Sequence, residues 1–124
     1  MKLLYIAGPY RAKTWLGIAL NIYRAWRVAV ACWRKGYAVI CPHTNTLWMS
    51  EWPVRLEAHI FLAGDLRMLR RCDAILMLPN WRKSVGAKAE HFYARQTNIP
   101  VYYSLKELPD APPRRRQGDD THSA

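Results

Sequence analysis

Leu3-Leu4-Tyr5-Ile6-Ala7-Gly8-Pro9-Tyr10-Arg11 opens the chain with five apolar residues stopped by a Gly-Pro pair. A run that short and continuous reads as a strand buried on both faces, and the Gly-Pro pair as the turn that ends it. Asp73-Ala74-Ile75-Leu76-Met77-Leu78, closed by Pro79-Asn80, repeats the pattern in the second half of the chain. Tyr37 to Cys41, closed by Pro42, and Pro100 to Tyr103 are shorter versions. Between the strands the period changes. Ile18, Ile22, Ala25 or Trp26, Ala29 and Trp33 recur at helical spacing, so Thr14 to Lys35 reads as a helix. Thr14 is its N-cap, Gly36 its stop, and Arg24, Arg27 and Arg34 should face solvent. A second helix reads from Pro53, in its first turn, to Arg71, with Ile60, Ala63, Leu66 and Leu69 on one face. Gly86 to Thr97 reads as a third, and Leu105 to Leu108 as one more turn.

Strands alternating with helices predict an α/β three-layer sandwich with a mainly parallel sheet of four to five strands. Crossovers should be right-handed. Ligands of such sheets bind beyond the carboxyl ends of the strands. That rule selects Gly8 to Arg11, Cys41 to Thr46 and Pro79 to Gly86 as site-forming loops.

The chain has 124 residues, about half of them apolar, and six tryptophans, enough for one domain with a real core. We read that domain as residues 1–108. Pro, Arg, Asp and Ser dominate residues 109–124, which read as a disordered polar tail. No apolar run approaches the roughly 20 residues of a membrane span. The N-terminal run ends too early for a signal peptide, so a cytoplasmic protein is expected. Cys32, Cys41 and Cys72 form no Cys-x-x-Cys pair and read as buried free thiols. No histidine–carboxylate spacing suggests a metal, and no cofactor is expected. The net charge is +10, while the tail sets Arg114, Arg115 and Arg116 against Asp110, Asp119 and Asp120. The folded part therefore carries the excess, which favours anionic partners.

Several residues could carry chemistry. Gly8-Pro9-Tyr10-Arg11 offers close backbone approach and an arginine for a phosphate or carboxylate. It is neither a dinucleotide fingerprint nor a Walker loop. Gly86, Ala87 and Ala89 leave room at a helix N-terminus, a natural anion site, and Ser84 could add a hydroxyl. Spacing alone gives Glu90 the ordinary role of a surface acid complementing the helix dipole. Asp65 could be an ion-pair partner of Arg67, Arg70 and Arg71. His43 and Asn45 lie on a site-facing loop, and His59 and His91 read as surface residues.

These motifs together resemble the nucleoside 2-deoxyribosyltransferase-like superfamily, most of all its domain-of-unknown-function family numbered 4406. The resemblance rests on Tyr5-Ile6-Ala7-Gly8-Pro9, on Gly64-Asp65-Leu66 followed by Cys72-Asp73, and on Ser84-x-Gly86-Ala87-x-Ala89-Glu90 ahead of Ile99-Pro100-Val101. It implies a Rossmann-like or flavodoxin-like fold and chemistry at an N-glycosidic bond. Glu90 matches the family nucleophile that attacks the anomeric carbon. Tyr5 matches a tyrosine beside it, and Asp65 an aspartate that handles the base or its proton. Gly8, Pro9, Tyr10, Arg11, His43, Asn45, Ser84 and Gly86 are the expected substrate-binding residues. True transferases carry an aspartate six residues before the glutamate, where this chain has Ser84. Related nucleoside-monophosphate glycosidases have a serine there and a phosphate loop at the place of Gly8 to Arg11. The resemblance thus implies hydrolysis of a (deoxy)nucleoside 5′-monophosphate, with deoxyribosyl transfer between bases as the alternative. It also implies a homodimer or larger homo-oligomer whose sites are completed by a neighbouring subunit. Asn80 and the segment after Tyr103 are the candidates for that contribution.

Two other readings stay open. One is an inactive nucleotide-binding module. The other is nucleic-acid binding through Arg24, Arg27 and Arg34 or Arg67, Arg70 and Arg71, which no stacking-aromatic motif favours.

Overall fold

The computed structural model describes residues 1–111. The chain runs β1 (Leu3–Ala7), α1 (Trp15–Arg34), β2 (Ala38–Ile40), a short α2 (Pro42–Asn45) and α3 (Ala58–Leu69). It continues through β3 (Ala74–Met77), a 3₁₀ turn (Trp81–Lys83), α4 (Val85–Gln96) and β4 (Val101–Tyr102). All neighbouring strands pair in parallel, in the order β2-β1-β3-β4. The expected α/β sandwich is present, with four strands among the described residues.

The strands are apolar throughout because both faces of the sheet are covered. Successive residues of β1 point to opposite sides. Leu4 and Ile6 join Ala25, Ala29 and Cys32 of α1 in one core. Tyr5 and Ala7 join Leu69 of α3 and Ala87 and Ala94 of α4 in the other. β3 divides the same way, with Ala74 and Leu76 on the α1 side and Ile75 and Met77 on the other. The Asp73 carboxylate accepts the Leu3 N–H at 2.7 Å where these two central strands begin.

Three expectations need correction. The helix assigned from Pro53 begins only at Ala58. The Arg55 and Leu56 N–H groups bond back to the Glu51 and Met49 carbonyls, both at 2.9 Å. Arg55 itself takes φ 50°, which a right-handed helix cannot contain. Trp33, read as a core residue of α1, is half exposed, and Cys32 occupies the core instead; of Ala25 and Trp26 it is Ala25 that is buried, with Trp26 half exposed. Finally, the chain does not leave the domain at Pro109. The Pro109 carbonyl accepts the Tyr37 hydroxyl at 2.6 Å, Asp110 pairs with Lys35 at 3.0 Å, and the Ala111 N–H reaches the Lys35 carbonyl. The remainder of the expected tail lies outside the described residues.

Among the described residues, no helix is long and apolar enough to cross a membrane.

Candidate active site

From β1 the chain moves to β2 on one side, and the sheet later grows through β3 on the other. That reversal leaves a crevice at the carboxyl ends of β1 and β3, the usual ligand position in such sheets. A cavity of about 630 Å³ opens there, within the range of small-molecule sites. Gly8, Pro9, Tyr10 and Arg11 line it from the end of β1. Ser84, Gly86 and Ala87 line it from the entry of α4, and His43 from α2. Asp65 and Leu62 face it from α3.

The turn after β1 is shaped from inside. A Cβ on Gly8 would stand 2.6 Å from the Leu78 Cβ, so glycine is needed there for the packing of β1 against the end of β3. The Asn21 amide donates to the Tyr10 carbonyl at 3.1 Å, and His43 holds the Pro9 carbonyl at 2.8 Å. A carbonyl only accepts, so His43 Nε2 carries the proton in that bond. Burial pushes the His43 pKa down, so the ring stays neutral and Nδ1 is a bare acceptor. Nδ1 and the Tyr10 hydroxyl are buried without a partner among the described residues. Unsatisfied buried groups of this kind are costly, and here they lie in the walls of a ligand-sized cavity.

Ser84 is the N-cap of α4. Its Oγ accepts the Ala87 N–H at 3.1 Å, and its own hydroxyl proton remains available to a ligand. Small residues follow it, so the first turn of the helix is open to the cavity. Glu90 lies one turn further along α4. It is not a surface acid: the residue is only 6% exposed. The Tyr5 hydroxyl donates to its carboxylate. Burial drives the Glu90 pKa up to about 8; the Tyr5 hydrogen bond opposes that rise and the charge of Asp65 adds to it. Burial likewise raises Asp65 to about 6, and among the described residues Asp65 makes no ion pair with its neighbouring arginines. The Tyr5 hydroxyl is pushed well above its ordinary value by burial and by Glu90, so it stays protonated as a donor.

Most of the expected residues line the cavity; Tyr5 and Glu90 are buried and are not among its lining residues. Asn45 stands apart from both groups. It is exposed, does not line the cavity, and its amide points to the Met68 sulfur at 3.9 Å. Residues two apart on a helix do not share a face, and α2 turns His43 inward and Asn45 outward. Asn21 and Lys83 also border the cavity without standing out in the sequence, and so does His59, which reads there as a surface residue. Asn21 had a signal: it interrupts the small-residue row Gly17, Ala25, Ala29 with an amide.

A family model described as a domain of unknown function, DUF4406, matches residues 2–103. The chain belongs to this family. Two solved structures share the fold of the DUF4406 chain. A 2-desoxiribosyltransferase from Leishmania mexicana aligns with a TM-score of 0.56 at 23% identity, over 82% of this chain and 62% of that one. A 2-deoxyribosyltransferase from Bacillus psychrosaccharolyticus aligns with a TM-score of 0.54 at 16% identity, over 98% of this chain and 91% of that one. The DUF4406 chain thus spans less than two thirds of the length of the Leishmania enzyme. No functionally curated protein matches it.

Proposed function

We propose that this DUF4406 protein cleaves the N-glycosidic bond of a (deoxy)nucleoside 5′-monophosphate, with Glu90 as the nucleophile. The observation that carries the reading is the buried Glu90 carboxyl, held by the Tyr5 hydroxyl one turn from the cavity-lining Gly86 and Ala87. A carboxylate in a dry site is a strong partner for the positive charge that develops at an anomeric carbon. Glu90 and Asp65 ionise near 8 and near 6, so at neutral pH the pair holds one proton. That proton rests on Glu90, the weaker acid of the two, and the reaction runs through the tautomer that carries it on Asp65. Ionised Glu90 then attacks the anomeric carbon, the C–N bond breaks, and Asp65 protonates the departing base. Water attacks the anomeric carbon of the glycosyl–Glu90 ester next and gives its proton to Asp65, releasing the sugar phosphate and restoring the Glu90 carboxylate. Arg11 and Lys83 supply positive charge for the 5′-phosphate, and the free Ser84 hydroxyl proton adds a donor.

A second reading, deoxyribosyl transfer to another base, is favoured by the fold shared with two 2-deoxyribosyltransferases. The same glycosyl intermediate serves it, resolved by a base nitrogen instead of water. One experiment addresses both. Wild type and Glu90→Ala are incubated with a panel of nucleosides and monophosphates, with and without a second base. Free base that needs Glu90 supports hydrolysis, and a new nucleoside that needs Glu90 supports transfer. Equal release by both proteins, or none on the whole panel, overturns the enzyme reading.

A homo-oligomer belongs to this proposal. Trp15, Trp26 and Trp33 are spaced by whole helical turns along α1 and are all more than half exposed. Such a stripe is unusual for a free surface. Light scattering that finds only monomers would remove this part.

A further inference from the structure

A second cavity, of about 520 Å³, lies on the α1 side of the same strand ends. It shares Pro9, Asn21 and Asn80 with the first, so the two adjoin across the Gly8–Arg11 turn. Val28, Leu78 and Leu105 give it an apolar floor. Among the described residues its charged lining residues are Arg24 and Arg27, one turn apart on α1, and no carboxylate lines it. Arg27 stacks its guanidinium over Tyr23 at 5.9 Å, and among the described residues neither arginine has an ion-pair partner. Unpaired guanidinium groups at the rim of a concave site suit phosphate oxygens.

We infer that this second cavity takes the part of the ligand beyond the first phosphate, so that the preferred ligands are nucleoside 5′-diphosphates and their pyrophosphate-linked conjugates. The inference rests on the reading that the first phosphate sits at the Gly8–Arg11 turn. Pro9 belongs both to that turn and to the second cavity, so a phosphate chain leaving the turn passes over Pro9 toward Arg24 and Arg27. The volume is that of a small-molecule site, larger than one phosphate needs, which gives a conjugated organic group room on the apolar floor.

Equilibrium binding to the Glu90→Gln protein tests this without turnover. The probes are a nucleoside, its 5′-monophosphate and its 5′-diphosphate, at fixed ionic strength. The diphosphate should bind roughly tenfold or more tighter than the monophosphate, the size expected of added charge-assisted hydrogen bonds. That gain should vanish in R24A/R27A and survive in R67A/R70A, which removes equal charge from the C-terminal end of α3. Equal binding of mono- and diphosphate, or a gain that survives R24A/R27A, overturns the inference. A gain lost equally in both double variants would reduce it to general electrostatics and overturn it too. Loss of base release in the wild type would count against the proposed chemistry alone, because this readout does not depend on it.

Discussion

Tyr5 and Glu90 stand 85 residues apart in the chain and meet in the core through one hydrogen bond. Tyr5 stays a donor over the whole working range, so its bond stabilises the ionised form of Glu90. Removing it in Tyr5→Phe should raise the Glu90 pKa above about 8. The proposed reaction needs one proton on the pair, so the wild-type rate should follow a bell between about 6 and 8. Tyr5→Phe should move the alkaline limb upward and lower the rate at neutral pH; a pH–rate profile with that limb unmoved would refute the coupling. Gly8 makes a different kind of prediction. Alanine there puts a methyl group into Leu78, and such overpacking costs about 1–3 kcal/mol. Urea unfolding should show that loss in Gly8→Ala whether or not a ligand is present. Little of this pairing was legible beforehand. The Gly-Pro turn announced itself through backbone chemistry, which is local. Burial of Glu90 depends on what packs over α4, and spacing alone made it a surface acid. Only the resemblance of the flanking motifs marked it as more.

The elements fall into two groups by how they are specified. β1, β3 and α4 are set by short-range signals: continuous apolar runs closed by proline, and a serine cap before small residues. They were legible for that reason. Residues 46–56 are held by long reaches such as Leu56 to Met49, and by a left-handed Arg55, which no periodicity announces. Proline at a helix's first turn is a fair signal, but it cannot show whether the following carbonyls will be used by the helix. The tryptophans of α1 misled for a related reason, because an aromatic stripe looks the same whether it faces a core or another surface. Ser84 shows how one residue can serve both an element and the site. Ser84→Ala should cost roughly 1 kcal/mol by loss of the cap. Aspartate caps as well as serine, so Ser84→Asp should recover that stability while its charge repels a phosphate. In melting and kcat/KM measurements, Ser84→Asp should therefore regain the stability and lose any preference for monophosphate over nucleoside. Gly64 lies inside α3 with nothing within 4 Å of an added Cβ. Gly64→Ala should stabilise the fold by about 0.5–1 kcal/mol in urea titration, from helix propensity alone.

For the whole molecule, the buried carboxyls link folding to pH in an unusual direction. Carboxylates held ionised by partners stabilise a fold as pH rises, but burial favours the protonated form of Glu90 and, less strongly, that of Asp65. Glu90 loses its proton near 4.5 when unfolded and near 8 when folded. Between those values the folded state binds a proton that the unfolded chain has released. Stability from this group is therefore fully present below about 4.5 and declines as pH rises toward 8. Asp65 adds a smaller decline of the same sign between 3.8 and about 6. One proton of difference limits the slope from Glu90 to about 1.4 kcal/mol per pH unit. Glu90→Gln keeps a group of similar shape with no titration. Its stability relative to wild type should rise steadily from pH 5 to pH 8 and level off beyond. Paired urea titrations at pH 5, 6.5, 8 and 9 would measure this directly. A difference between the two proteins that stays flat across that range would mean Glu90 is ionised in the empty site. The proposed sharing of one proton with Asp65 would then have to be abandoned, even if Glu90 remained essential for base release.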